Sequence, residues 1–187
     1  MKKLFSLFII ILSAFIVYGC GNDGVKKEVV PVNKNEFNWK ENLAISDIPD
    51  FELKGNLNGK EVRFPYVVFE IWRGSKDNVL NFSLEKAEQK CGYIENYQGF
   101  QLKSKGNSMN RGEFLKPKFD DDAKNFQSFF RYINPDGTSY KSDVEWNCAL
   151  NIENLSDKIV TGKIAVCYND EKKSWIAGRF EALVCNN

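Results

Sequence analysis

The chain has 187 residues, with 26 Lys and Arg, 25 Asp and Glu, and no histidine. Its formal net charge of +1 at pH 7 argues against the basic face that nucleic acid requires, so we expect no nucleic-acid partner. The absence of histidine excludes a Ser-His-Asp or Cys-His catalytic arrangement within this chain and argues against a zinc site.

The first twenty residues have the pattern of an export signal. Lys2 and Lys3 precede an apolar run over residues 4–17, and Gly19 comes directly before Cys20. A basic start, a short apolar run and a small residue at the cleavage site are the parts of a secretory signal peptide. With cysteine after the small residue, this segment resembles the bacterial lipoprotein signal, whose lipobox ends in the same way.

The resemblance implies that residues 1–19 are removed and that Cys20 becomes the acylated first residue, carrying palmitate-type chains. Each buried CH₂ contributes about 0.8 kcal/mol, so two or more acyl chains hold a protein stably at a bilayer. We therefore expect a lipid-anchored protein of the bacterial cell envelope, at the outer membrane or the cell surface, with the membrane as its partner through the anchor. An uncleaved signal-anchor helix and an ordinary secreted protein are the alternatives.

The remaining chain divides by composition. Residues 20–49 contain Gly, Asn, Lys and Glu with few grouped apolar residues, which predicts a lipidated tether. Phe37 and Trp39 are exceptions within that tether, and they could pack back onto the domain. Residues 50–187 are rich in aromatic and β-branched residues, which predicts a β-rich domain.

Within the domain, the first elements read mostly as strands. Alternating residues from Phe51 onward surround Asn58-Gly59, a strong signal for a two-residue hairpin. Strands are predicted over 66–72, 79–84, 98–103 and 126–133. Pro117 limits residues 114–119 to an edge strand or an irregular piece. Residues 83–90 are the exception, because Ser83 can cap a helix and Gly92 can end one, so we predict one short helix there.

The last fifty residues carry the clearest β pattern. Apolar and polar residues alternate over 140–152, and two further strands are predicted over 159–168 and 174–185. Short turns join the three, which predicts an antiparallel meander. The expected fold is therefore all-β, an antiparallel sandwich or small barrel with one short helix.

Besides Cys20, the chain has four cysteines: Cys91, Cys148, Cys167 and Cys185. An even number in an exported chain predicts two disulfides, with three connectivities, and free buried thiols are the alternative. The turn near residue 156 places Cys148 opposite Cys167, which favours that pair. Strict alternation puts the two on opposite faces, so a bulge near Gly162 would have to restore the register. By elimination, Cys91 would pair with Cys185.

No motif predicts catalysis. Residues 83–86 spell the SxxK motif of penicillin-binding proteins, but the partner motifs KTG and SDN do not occur in the sequence. We therefore expect no enzyme, no metal site and no cofactor. The hypothesis is a non-catalytic binding or adhesion module with an unknown protein or glycan ligand. The alternative is a periplasmic structural or inhibitory lipoprotein, similar to lysozyme inhibitors.

Two further sequence features concern a predicted binding surface and a likeness to other proteins. Trp175 falls on the less buried side of the last strand, so it is the tryptophan that we expect at a binding surface. The Asn58-Gly59 turn and the stretch 178–182 before Cys185 are similar to those of small bacterial lipoproteins of unknown function. That likeness implies no activity.

Overall fold

The computed structural model describes residues 36–92, 94 and 97–186, so the signal segment and Cys20 lie outside the described residues. The described chain is almost entirely β, which confirms the predicted class. In chain order the strands are β1 Lys54–Leu57, β2 Lys60–Arg63, β3 Tyr66–Ile71, β4 Asn78–Ser83, β5 Gly99–Ser104, β6 Gly112–Lys116, β7 Phe126–Ile133, β8 Ser139–Lys141, β9 Trp146–Leu155, β10 Ile159–Tyr168 and β11 Trp175–Asn186.

All eleven strands belong to one sheet. The strand order is β6-β9-β10-β11-β3-β4-β5-β7-β8, and β1 adds to β11 and carries β2. The pairing of β11 with β3 is parallel, so the sheet is mixed, whereas antiparallel pairing was expected for the predicted sandwich or small barrel. The sheet curls into a half-barrel, and Phe114 of β6 stacks on Phe126 of β7 with ring centroids 3.9 Å apart.

Two predicted connections are present as expected. Asn58 and Gly59 join β1 to β2. Their φ values are +52° and +82°, as expected, because a two-residue hairpin turn needs left-handed backbone at both positions. Strands β9, β10 and β11 form the predicted antiparallel meander. Strand β6, just before Pro117, lies at an edge of the sheet, where a missing ladder hydrogen bond is tolerated.

Aromatic side chains fill the main core. Phe82, Phe100 and Phe130 lie directly opposite one another on β4, β5 and β7, and each is at most 1% exposed. Tyr168 of β10 stacks on Phe100 with ring centroids 5.4 Å apart, which ties the meander to these strands. Burying one such side chain contributes about 1.5–3 kcal/mol. Since side chains alternate along a strand, the residues directly before and after each of these aromatics point away from the core.

Residues 36–49, here called the N-terminal segment, pack on the domain instead of forming part of a tether. Phe37 and Leu43 are buried against a row of small side chains, Ala149, Ala165 and Ala177, which are directly opposite one another on β9, β10 and β11. The indole N–H of Trp39 also donates to the Tyr168 carbonyl oxygen over 2.7 Å. The domain therefore begins before the boundary predicted at residue 50.

The helix predicted over residues 83–90 is wrong. Ser83 belongs to β4 opposite Gly99, and its hydroxyl accepts the Glu85 N–H over 3.2 Å in a local turn that competes with helix formation. Most of the following side chains are exposed, so a helix there would have no apolar face to bury. Within the described residues the helical structure is one 3₁₀ turn, Ile45–Asp47, and no helix there is long and apolar enough to span a bilayer.

One predicted disulfide is present. Cys91 and Cys185 are bonded, with Cα atoms 5.4 Å apart, across a sequence separation of 94 residues. The bond joins the segment that follows β4 to the end of β11, two parts of the chain that are distant in sequence. Closing so long a loop restricts the unfolded chain strongly, by about 4–5 kcal/mol in the chain-entropy account.

The second predicted disulfide, Cys148–Cys167, is wrong, because both thiols are free and buried. A bulge is present before Gly162, but it places Cys148 opposite Val166 instead of opposite Cys167. The two thiols therefore point to opposite faces of the sheet. Cys148 faces the main core, and Cys167 faces the N-terminal segment, where its Sγ accepts the Lys40 N–H over 3.4 Å.

Candidate functional site

The described part of the chain contains a groove of about 940 Å³. Side chains of β3, β4 and β5 that point away from the main core form its floor, among them Tyr66, Asn81 and Gln101. Strand β7 and the residues that follow β8 line one side. The segment between β4 and β5, here called the β4–β5 segment, lines the other with Cys91 and Tyr97.

The floor consists of interior strands. Strands β3, β4 and β5 each pair with a neighbour on both sides, so their backbone hydrogen-bonding groups are used within the sheet. A ligand that lies on this floor must therefore be recognised by side chains. The alternation that buries Phe82 and Phe100 in the core is the same alternation that turns Asn81 and Gln101 into the groove.

Two amides occupy the centre of the floor. Asn81 and Gln101 are directly opposite each other, and the Gln101 side-chain amide donates to the Asn81 side-chain oxygen. Each side-chain amide has one acceptor oxygen and two donor hydrogens, so this bond uses only part of their capacity. Tyr66 lies on the same face, and its hydroxyl is buried without a hydrogen-bond partner among the described residues. The floor is therefore polar and can hydrogen-bond a polar ligand.

An aromatic platform stands at one end of the groove. Trp72 is 36% exposed, and its indole N–H donates to the Glu70 carboxylate over 2.9 Å. The Lys103 ammonium lies 5.5 Å from the centroid of that indole ring and 3.3 Å from the Asp77 carboxylate. The Gly106 backbone N–H, together with Lys103, holds the pKa of Asp77 below its ordinary value. Asp77 thus stays ionised and keeps Lys103 beside the ring.

Two cations stand at the other end. Arg131 of β7 and Lys141 of β8 are directly opposite each other, both are exposed, and both line the groove. The Lys141 ammonium also lies 4.0 Å from the centroid of the Phe129 ring. Among the described residues, no carboxylate comes within salt-bridge distance of either cation, although Asp143 lines the same groove. This end therefore carries more positive than negative charge.

The β4–β5 segment is fastened at two points. The Cys91–Cys185 disulfide fixes its middle to β11, and near β5 the Tyr97 hydroxyl donates to the Phe100 carbonyl oxygen over 2.5 Å. Burial raises the pKa of the Tyr97 hydroxyl well above its ordinary value, so this donor stays protonated. These two attachments give the groove a preformed wall.

The residues singled out from the sequence lie elsewhere. Trp175 packs against Phe37 of the N-terminal segment, with ring centroids 5.1 Å apart, and it does not line the groove. Of the described residues singled out from the sequence, Cys91 lines the groove, as does Ser83 of the SxxK match. The amides of the floor and the paired cations were missed, although the alternation in residues 99–104 already placed Gln101 and Lys103 on the non-core face of a predicted strand.

Two further observations on this chain concern metal binding and similarity to known proteins. Across residues 36–92, 94 and 97–186, no group of three or more Cys, Asp or Glu side chains is arranged to hold a metal ion. Comparisons with protein-family models, curated proteins and solved structures find no match to this chain. The proposals below therefore stand on the geometry of the groove and on the signal at the start of the sequence.

Proposed function

We propose that this protein is a non-catalytic binding module of the bacterial envelope, held at the membrane by acyl chains on Cys20. The groove on the outward face of β3, β4, β5 and β7 is its ligand site. The observation that carries the proposal is the preformed groove of about 940 Å³, which combines aromatic rings with hydrogen-bonding side chains on a rigid sheet. Its volume lies in the range of ligand sites in general.

The chemistry of the groove supports binding without a reaction. Its two serine hydroxyls are tied to neighbours: that of Ser83 accepts the Glu85 N–H, and that of Ser128 lies 2.5 Å from the Tyr168 hydroxyl. Activating a serine needs an adjacent base, and among the described residues neither hydroxyl is hydrogen-bonded to a lysine or carboxylate side chain. The two thiols free of disulfide bonds, Cys148 and Cys167, are buried and do not line the groove.

Native mass spectrometry tests the groove. The detergent-solubilised protein is mixed with saccharide and peptide fragments of its own envelope, and the mass of each bound fragment is compared before and after release. We expect complexes with fragments whose mass does not change. Gln127→Trp, an exposed substitution inside the groove, should lower complex formation about tenfold or more, since a bulky ring would occupy the ligand's space.

The matched control is Glu113→Trp, which places the same ring at an exposed position on β6 outside the groove. It should leave complex formation unchanged. If both variants bind as well as the parent protein, the groove is not the site. Release of cleaved fragments would show catalysis and would overturn the proposal in its present form.

A second experiment tests the location. Intact cells are treated with a protease, and the released peptides and the residual anchored peptide are analysed by mass spectrometry. We expect the native chain to begin at an acylated Cys20, and domain peptides to be released from intact cells if the module works at the surface. A chain that begins at Met1 would contradict the anchor, and a protected domain would favour the periplasmic alternative.

A further inference from the structure

We propose that the ligand of the groove is an acidic oligosaccharide, whose carboxylate is bound by Arg131 and Lys141 and whose sugar rings lie along the floor toward Trp72. This inference rests on the proposed function and specifies the ligand of the same site. It depends on three properties of the groove: the paired cations, the aromatic rings and the use of side chains alone for recognition.

The pairing of Arg131 with Lys141 is unfavourable for the empty protein. Like charges directly opposite each other on neighbouring strands destabilise a sheet. No carboxylate of the described residues lies within salt-bridge distance to offset the repulsion. A ligand carboxylate between the two side chains would remove it, because a guanidinium can hold a carboxylate through two parallel hydrogen bonds while the ammonium supplies a further donor.

The remaining length of the groove suits sugar rings. Arg131 and Gln127 of β7 are four residues apart on the face that lines the groove, which corresponds to about 13 Å along the strand. That length accommodates an oligosaccharide of a few rings. Trp72, which is 36% exposed, offers a flat apolar face for the C–H side of a sugar ring, and the Asn81–Gln101 pair offers donors and acceptors for its hydroxyls.

The same geometry disfavours an extended peptide. A peptide strand usually binds by adding its backbone to an open sheet edge. The floor strands β3, β4 and β5 have no open edge, since each is paired on both sides. A peptide on this floor would keep most of its backbone groups without protein partners, whereas a saccharide carries polar hydroxyls around every ring and needs no backbone pairing.

Isothermal titration calorimetry on the detergent-solubilised full chain tests the inference. The probes are oligogalacturonates, hyaluronan fragments and sialyllactose, each with its methyl-esterified counterpart, and a poly-glutamate peptide. We expect at least one of the acidic saccharides to bind about tenfold or more tightly than its ester. A hydrogen bond to a charged group increases affinity about ten- to a hundredfold. The peptide should bind about tenfold or more weakly than that saccharide.

The variant Arg131→Gln/Lys141→Gln should abolish the preference for the acid over the ester. Its matched control is Arg111→Gln/Lys60→Gln, which removes the same charges at exposed positions outside the groove and should keep the preference. Thermal unfolding of both variants shows whether each is folded. Because the groove variant removes two like charges that lie directly opposite each other, we expect it to unfold at the same temperature as the control or at a higher one.

Three results would overturn the inference: equal binding of acid and ester, peptide binding as tight as saccharide binding, or no binding of any acidic saccharide. These are distinguishable from failure of the proposed function. If the Gln127→Trp variant loses envelope fragments that prove to be neutral saccharides or peptides, the groove is the site and only the ligand class is wrong. If that variant loses nothing, both proposals fail together.

Discussion

At the scale of single residues, Lys116 is the most unusual side chain of the domain. It is 4% exposed, yet its ammonium donates to the carbonyl oxygens of Lys118, Phe119 and Trp146 over 2.8, 2.7 and 2.8 Å. Burial lowers its pKa, because the charged form loses hydration, and the nearby carboxylates of Asp121, Asp120 and Glu145 act in the opposite direction. Lys116 thereby ties the edge strand β6 to the start of β9.

Replacing Lys116 by methionine should therefore destabilise the fold. The apolar chain would still fill the space, but one buried and two partly buried carbonyl oxygens would lose their donor, so we expect a loss of about 2–4 kcal/mol in the free energy of unfolding. Urea denaturation measures the loss. Lys118→Met, at an exposed neighbouring position, should change the free energy of unfolding by no more than about 0.5 kcal/mol. Equal effects of the two substitutions would contradict this account.

The two free thiols give a second prediction at this scale. Burial raises the pKa of Cys167 to about 12 and raises that of Cys148 as well. Because the thiolate is the reactive form and both thiols are buried, maleimide at neutral pH should label neither cysteine in the folded protein and both in urea. Peptide mapping should find Cys91 linked to Cys185. A peptide in which Cys148 is linked to Cys167 would contradict the register of β9 and β10.

At the scale of elements, the N-terminal segment depends on the small side chains beneath it. Ala165 is fully buried in the middle of the alanine row, between Ala149 and Ala177. A larger side chain there would displace Phe37 and the residues around it, and overpacking of this kind costs about 1–3 kcal/mol. The row therefore fixes the position of the N-terminal segment on the sheet.

We expect Ala165→Leu to lower the free energy of unfolding by that amount and to increase amide hydrogen exchange in residues 37–48. Ala44→Leu is the matched control, because Ala44 lies in the same segment but is exposed. It should change neither property appreciably. If exchange in the segment were already fast in the parent protein, the packing described above would be wrong.

The elements also show what a single sequence can and cannot predict. Strong local signals, such as the Asn58-Gly59 hairpin and the alternating strands of the meander, were predicted correctly because they depend on neighbours in sequence. A bulge near Gly162 was expected to bring Cys148 opposite Cys167. The bulge is present, but it shifts the register by one residue so that Cys148 lies opposite Val166. The predicted helix failed because a cap signal without an apolar face is insufficient.

At the scale of the whole molecule, the candidate site arises from pairings between distant parts of the chain. The parallel pairing of β11 with β3 joins the meander to the strands β3, β4 and β5, and the sheet continues from β5 into β7 and β8 along the groove. No local pattern encodes those contacts, so the sequence could indicate polar faces of individual strands but not their convergence. The pairing of Arg131 with Lys141 became visible only through the register of β7 and β8.

The central claim is that the outward face of β3, β4, β5 and β7 is the ligand site. The most direct measurement is nuclear magnetic resonance of the isotope-labelled protein in detergent, titrated with the acidic saccharide that it binds most tightly. The account predicts shift changes concentrated at groove residues, with Asn81, Gln101 and Arg131 among the largest. Changes centred on the N-terminal segment or on the exposed Leu115 and Leu155, with the groove unaffected, would contradict it.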